Sequence, residues 1–331
     1  MHDIRELTLG EAINEALAEE LGRDQAVFLM GEDIGRASGI FMVTKGLQEQ
    51  FGKDRVLDTP IEEAGIVGLG IGAAMTGMRP VVEIMFSDLM LLAMDQIVNQ
   101  AAKMHYMTGG QAKVPLVIRT TIGAGRGAAA QHSQSLQALV AHVPGLKVVM
   151  PSTPYDAKGL LKSAIRDDNP VIFLEDKMCY STVKGRVPDQ EYLIPLGVAD
   201  VKRVGQDVTL VATSRMVQVA LSAAKILDQD GISAEVVDPR TLKPLDRETI
   251  VRSVIKTGRA VVIDEGCLSY GITGEIVAVI ADVAFDYLDA PIKRLGAADV
   301  PVPMAPVLEA ATVPNERQVV ETVKGLFGRR Y

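Results

Sequence analysis

Along most of this chain, short runs rich in Val, Ile and Leu alternate with longer stretches whose apolar residues recur every three or four positions. The first pattern belongs to strands buried on both faces, the second to amphipathic helices. Strands are expected at 27–30, 80–84, 114–119, 146–150 and 171–174, and helices at 9–21, 63–75, 89–103, 136–142 and 154–165. Thr8 precedes the first helical stretch and Glu11 follows three residues later, the spacing of a capping box. Gly145 and Asn169-Pro170 punctuate the pattern before later strands. Residues 185–195, with Pro188, Asp189 and Glu191, interrupt it and read as a linker or a crossing between domains. The alternation then restarts, with strands at 208–212, 234–237, 260–263 and 292–295 and helices at 216–227, 247–256, 271–284 and 317–327. It predicts an α/β fold of two sandwich domains in series with mainly parallel sheets, 1–184 and 197–331, joined by 185–196.

Composition narrows the function classes. A length of 331 residues accommodates two domains, and 48% hydrophobic with 23% charged residues is ordinary for a globular protein. A formal charge of −8 provides no basic footprint for nucleic acid or an anionic membrane. With 7 Tyr, 7 Phe and no Trp, base-stacking platforms are not expected either. Cys179 and Cys267 lie far apart without metal-ligand spacing, so both read as reduced, structural thiols. The first residues have mixed charge and no apolar leader run, and the apolar stretch 276–285 is interrupted by Asp282 and too short to cross a bilayer. A soluble, cytoplasmic protein is expected.

Gly65, Gly68, Gly70, Gly72 and Gly77 crowd one predicted helix and its exit. Each helical glycine costs roughly 1 kcal/mol relative to alanine, so the density has a cause. A dinucleotide loop would follow a hydrophobic strand, whereas 58–64 is acidic and contains Pro60, and the third glycine falls one residue early. Gly123-x-Gly125-x-Gly127 follows a predicted strand but also lacks the full spacing. Close approach of another backbone, across a subunit interface, is the better account.

Two segments carry candidate chemistry. Asp58-Thr59-Pro60-Ile61-Glu62-Glu63-Ala64-Gly65 places the Glu63 carboxylate in the first turn of the glycine-rich helix, and Ala130-Gln131-His132-Ser133-Gln134-Ser135 presents a histidine in a small polar loop. Read from the residues alone, Glu63 is a first-turn acid favoured by the helix dipole and His132 a hydrogen-bonded loop histidine. Glu62 would face about 100° away from Glu63, solvated or in an ion pair. His105 and His142 read as structural.

The two segments, with 144–149, 156–161, 169–171 and 237–241, resemble β subunits of the thiamin-diphosphate-dependent first component of 2-oxo acid and acetoin dehydrogenase complexes, the acetoin enzymes most closely. The similarity covers essentially the whole chain. It implies a transketolase-like pyrimidine-binding domain followed by a transketolase C-terminal-like domain. It also implies that Glu63 contacts the cofactor's aminopyrimidine, where a carboxyl on the distal ring nitrogen favours the imino tautomer that deprotonates the thiazolium. His132 would lie near the thiazolium substituent and assist the two-carbon adduct or its transfer to lipoyl. Ile61, Met85 and Leu89 match positions lining the aminopyrimidine; the position of Leu89 is often aromatic in the 2-oxo acid enzymes, which leaves the substrate class open. The resemblance further suggests a structural potassium site of main-chain carbonyls near Leu116, Val117, Ala164, Asp167 and Asn169.

Diphosphate and magnesium in this cofactor class need a Gly-Asp-Gly segment and a distant Asn, and no Gly-Asp-Gly occurs in the 331 residues. The resemblance therefore implies an α subunit that carries the motif and binds magnesium, an α2β2 heterotetramer, and a lipoyl-bearing acyltransferase as further partner. The second domain would support the tetramer and acyltransferase docking. Its Asp264-Glu265 pair follows a strand, where α/β sites often lie, but reads as solvated or salt-bridged. The stretches 119–125, 173–178 and 211–216 look most like acetoin-cleaving enzymes. Pyruvate or another 2-oxo acid is the alternative, and a non-catalytic scaffold subunit the third reading.

Overall fold

The computed structural model describes residues 4–328, which fall into two units: the chain up to Ile122 together with Leu139–Leu196, and Gly123–Ala138 together with the chain from Gly197 onward.

The strands of the first unit are β1 (Ile4–Thr8), β2 (Val27–Gly31), β3 (Val56–Asp58), β4 (Arg79–Phe86), β5 (Val117–Ile122), β6 (Lys147–Val149), β7 (Val171–Asp176) and β8 (Lys184–Pro188). In the order β6-β7-β5-β4-β2-β3 they form a parallel sheet. Every residue of β5 and β7 is buried, as expected for strands covered on both faces. The Leu9–Arg23 helix starts with the expected capping box, Thr8 and Glu11 satisfying each other's main-chain N–H groups. Leu9, Ile13, Leu17 and Leu21, four apart, fall on one face and are all buried in the core. On the flank of that helix, carboxylates meet the Pro154–Arg166 helix in a ladder: Lys158 pairs with Glu15 and Glu19, Lys162 with Glu19, and Arg166 with Glu20.

Three features depart from the sequence reading. Residues 89–103 do not form one helix: a turn at Ser87–Met90 leads through a 3-10 turn, Leu91–Ala93, a π-helical turn, Gln96–Ala101, and a last turn, Met104–Met107. A Cβ on Gly145 would collide with the Ala102 carbonyl, so this helical segment ends against another backbone. Lys184–Pro188, read as linker, is a strand paired antiparallel with β1. The short strands β1 and β3 had no apolar run long enough to signal them.

The second unit holds β9 (Asp200–Arg203), β10 (Val208–Ala212), β11 (Ala234–Asp238), β12 (Thr241–Lys243), β13 (Ala260–Cys267) and β14 (Lys293–Ala297). Its sheet runs β14-β13-β10-β11-β9, with β9 alone antiparallel to its neighbour. The helices Arg215–Gln229 and Glu316–Phe327 cover one face, and Arg247–Thr257 and Ile272–Ala284 the other, each pair over its own apolar cluster. The fold is α/β with mainly parallel sheets, as the hydropathy pattern predicts. No helix among the described residues is long and apolar enough to cross a membrane.

Candidate active site

In an open parallel sheet, ligands bind beyond the carboxyl ends of the strands. In the first unit those ends carry acids: Glu32 and Asp33 after β2 and Asp58 closing β3, with Glu83 in the carboxyl half of β4 beside Gly31, the last residue of β2. Local packing shapes this edge. A Cβ on Gly31 would lie 2.8 Å from the Glu83 carbonyl oxygen, so only glycine lets β2 end there. Asp58 accepts from the Gly35 N–H at 2.6 Å, and the Thr59 N–H donates to the Gly31 carbonyl at 3.0 Å, tying β3's end to the loop after β2. Pro60 and Ile61 then turn the chain into the Glu63–Met75 helix.

The adjacent glutamates divide the work at that helix. Glu62 is the N-cap, its exposed carboxylate accepting from the Gly65 N–H, so it is solvated, one of the two forms the sequence suggested, and caps the helix besides. Glu63 is 8% exposed, and no hydrogen-bond donor among the described residues reaches its carboxyl. Burial first, then the negative charges of Asp33 and Glu63, push the Glu32 carboxyl above its ordinary range. The Glu63 oxygens keep acceptor capacity for a ligand that brings an N–H to this edge.

Ile61 is exposed, and Met85 and Leu89 are part-buried, Leu89 in the turn after β4. The Met85 carbonyl accepts from the Thr121 hydroxyl at 2.6 Å, which fixes β4 where Met85 departs from it. The glycines of the helix have separate explanations. Gly70 is an intrachain requirement: a Cβ there would approach the Val82 and Leu116 side chains at 2.9 and 3.1 Å. Gly72 faces open space in this chain, so the interface account survives for Gly72 and not for Gly70.

Behind this edge lies a charge cluster that the sequence reading missed. Arg119 on β5 is buried between Glu83 on β4, at 2.7 Å, and Glu175 on β7, and the Tyr180 hydroxyl donates to Glu175. Burial alone would weaken the guanidinium's hold on its proton, and the charges of Glu175 and Glu83 more than reverse that. Burial raises the Glu83 carboxyl despite Arg119, and burial with the Glu175 charge raises the Tyr180 hydroxyl. An arginine inside the run VIRTTI was the available signal.

Of the carbonyl positions, Leu116 accepts from the Val171 N–H at 2.9 Å, Ala164 from the Asp167 N–H at 3.3 Å, and Asp167 from the Arg79 guanidinium at 2.7 Å. Val117 is buried in β5, and Asn169 donates to the Asp167 carboxylate at 2.9 Å. A carbonyl oxygen has two lone pairs, so each retains an acceptor position. Positive charges already present in this segment are Arg79, which also meets Asp168 at 3.2 Å, Lys113, which meets Asp168 at 2.7 Å, and Lys147, which pairs with Asp167.

His132 belongs to the second unit, on the loop between Gly123 and Ala138. Gly123, Gly125, Gly127 and Ala129 all have positive φ, at 96°, 117°, 64° and 60°. The loop's amides point at carboxylates: Ala124 N–H donates to Glu265 at 2.7 Å, and Gly125 and Gly127 N–H to Glu309 at 2.7 and 3.0 Å. Such a nest of amides attracts anions. Here protein carboxylates fill it, which is a structural reason against the dinucleotide reading. Arg215 joins in, pairing with Glu265 at 2.6 Å and donating to the Ala124 carbonyl at 3.0 Å. Asp264 is likewise buried, accepting from Thr213, Gln137 and Gly266 at 2.5, 2.7 and 2.9 Å. The Asp264-Glu265 pair is buried: Glu265 is salt-bridged, one of the two expected forms, and Asp264 is hydrogen-bonded rather than solvated. A cleft of about 390 Å³ in this unit is lined by Ser133, Gln134 and Ser135 from the loop and by Glu265, Cys267 and Asp299. His105 has a structural contact, its Nδ1 lying 2.7 Å from the Ala112 carbonyl.

The sequence profile of the transketolase pyrimidine-binding domain matches residues 5–182, and that of the transketolase C-terminal domain residues 197–319. The chain is 49% identical over 336 residues to the β subunit of acetoin:2,6-dichlorophenolindophenol oxidoreductase of Bacillus subtilis (strain 168), covering 98% of each. It is 48% identical to the 2-oxoisovalerate dehydrogenase β subunit of the same organism, over 96% of this chain and 97% of that one. It is 50% identical to the pyruvate dehydrogenase E1 component β subunit of Rickettsia felis, over 96% and 98%. Among solved structures, a split-gene transketolase described as an inactive β4 tetramer is similar with a TM-score of 0.77 at 25% identity, over 97% of this chain and 98% of that one.

Proposed function

This chain belongs to the family of transketolase-like β subunits of dehydrogenase first components, and from that premise we propose that it supplies the aminopyrimidine-binding half of a thiamin-diphosphate site. The observation that carries the proposal is the buried, donor-free carboxyl of Glu63 at the carboxyl edge of the first sheet. The chemistry fits: a carboxyl in that position can accept from an N–H partner, and a protonated ring nitrogen is one.

When bound, thiamin diphosphate supplies the carbanion chemistry. Glu63 would hold the proton at the distal ring nitrogen, and Ile61, Met85 and Leu89 would cover the ring by dispersion and keep water out. The imidazole of His132 would exchange a proton with the reacting substrate fragment near neutral pH. Diphosphate and magnesium would be held by an α subunit with the Gly-Asp-Gly motif this sequence lacks, in an α2β2 assembly, with a lipoyl-bearing acyltransferase as acceptor. A potassium ion on the spare lone pairs of the Leu116, Ala164 and Asp167 carbonyls, near Val117 and Asn169, would be structural only. A higher melting temperature in potassium than in choline salts would support it.

Acetoin is the proposed substrate, with pyruvate or another 2-oxo acid second. The stretches that look acetoin-like contain Arg119, Glu175 and Arg215, which are engaged in internal ion pairs. They support the architecture more directly than the substrate. Relatives with three different substrates in their names are 48–50% identical to this chain, so turnover has to decide. The test is to purify the chain with its α subunit and offer acetoin, pyruvate and branched-chain oxo acids with a dye acceptor. Acetoin turnover that disappears in Glu63→Gln with the fold intact is expected. Near-normal activity in that variant refutes the role of Glu63, and activity with no substrate despite bound cofactor favours the scaffold reading.

A further inference from the structure

We propose that Glu309 is a positioning residue for His132, acting through the glycine loop; the inference rests on the role assigned to His132 above. Glu309 is 4% exposed, yet no cation pairs with it among the described residues. Its charge is answered by main-chain amides. One carboxylate oxygen accepts from Gly125 at 2.7 Å and from Gly127 at 3.2 Å, and the other from Gly127 at 3.0 Å. Both oxygens of a buried acid are therefore committed to one loop, 184 residues away in sequence.

The loop needs such an anchor. Positive φ at Gly125, Gly127 and the non-glycine Ala129 leaves its N–H groups outside any helix or strand, and such backbone persists only where its surroundings over-determine it. From the clamped amides the chain runs through Ala129, whose carbonyl lies 3.4 Å from the His132 N–H, and the loop's base closes where the Gly123 N–H meets the Gln134 carbonyl at 3.4 Å. His132 hangs between these points. Glu309 is itself fixed: its N–H donates to the Ala305 carbonyl at 2.8 Å, and its carbonyl accepts from the Thr312 hydroxyl at 2.7 Å. A rigid acid thus sets the path of the backbone that carries the imidazole.

Glutamine at 309 would keep one acceptor oxygen and place an NH2 against a loop amide. Displacement of a reacting group by about 1 Å can cost on the order of 100-fold in rate. In the assembled α–β enzyme loaded with thiamin diphosphate, Glu309→Gln should lower kcat by about 10- to 100-fold, with KM and cofactor affinity within about twofold of wild type. Hydrogen exchange should speed up at the Gly125 and Gly127 amides and not in β10 or β13. The decisive measurement is a double-mutant cycle with His132→Ala. If Glu309 acts through His132, Glu309→Gln adds no further loss in that background. Multiplying losses, or an unchanged kcat in the single variant, overturn the proposal. Should Glu309→Gln fail to fold, Gly127→Ala perturbs the same loop with Glu309 intact, and the same cycle decides. If His132→Ala alone leaves turnover unchanged, it is the role of His132 that falls, and faster loop exchange in Glu309→Gln would still show the clamp.

Discussion

Arg119 and Glu175 meet in a two-bond fork, Nε to one carboxylate oxygen at 2.8 Å and Nη2 to the other at 2.7 Å, wholly inside the first sheet. Planar pairing of this kind is the strongest geometry a guanidinium offers, and burial makes each partner depend on the other. With Glu83 on its other side, Arg119 ties β4, β5 and β7 of the first sheet together.

Arg119→Met is therefore expected to be severe. It strands two carboxylates in the core, and breaking a buried pair by removing one partner costs about 3–5 kcal/mol. Thermal or urea unfolding of the variant measures the loss. Adding Glu83→Gln and Glu175→Gln should recover much of it; no recovery would mean that packing rather than charge dominates.

Lys158→Met should cost less, although Lys158 is equally buried. Its partners Glu15 and Glu19 are partly exposed, and Glu15 keeps Arg5 at 2.8 Å. An expected loss of about 1 kcal/mol follows from the weakness of solvated pairs, and comparative urea titrations of the two methionine variants check the ranking.

Asp246 gives a pH-dependent prediction. It caps the Arg247–Thr257 helix, accepting from the Thr249 N–H at 3.0 Å and the Ala199 N–H at 2.9 Å. Burial raises its carboxyl, and these hydrogen bonds more than offset that, leaving it below the ordinary 3.8. A depressed acid contributes stability that is fully present above its unfolded value and lost as pH falls through the folded one. Asp246→Ala should cost about 1 kcal/mol at pH 7, a typical cap loss. The gap from wild type should start to close below pH 3.8, which unfolding curves at several acid pH values would show.

Two glycines of one helix should respond oppositely. Gly70→Ala pushes a methyl into Val82 and Leu116 and is expected to destabilise by about 1–3 kcal/mol less the roughly 1 kcal/mol gained in helix propensity. Gly72→Ala meets nothing in this chain and should stabilise the isolated subunit by up to about 1 kcal/mol. If another subunit's backbone approaches Gly72, the same change should weaken assembly with α, measurable by sedimentation. Unaltered assembly would remove the interface account for that position.

Legibility in the sequence followed range. The strands of β5, β7, β10 and β13 and the Glu63–Met75 helix could be read because apolar periodicity is a local property. The break within 89–103 could not: Leu, Met, Ile and Val recur there at helical spacing, and only the contact with Gly145 shows where the segment must end. Glu63 and His132 were visible through their motifs, whereas Arg119, Glu265 and Glu309 were not, because their partners lie far along the chain.

By itself, the sequence determined the α/β order, the capping box at Thr8, the family and the two residue types on which the proposed chemistry depends. Tertiary structure alone decided which of two adjacent glutamates caps the helix and which is buried without a donor, and which acid holds the glycine loop. The physical reason is that propensity and periodicity act over a few residues. The worth of a carboxylate, by contrast, depends on burial and on donors brought to it from distant parts of the chain, as Gly125 is brought to Glu309 across 184 positions.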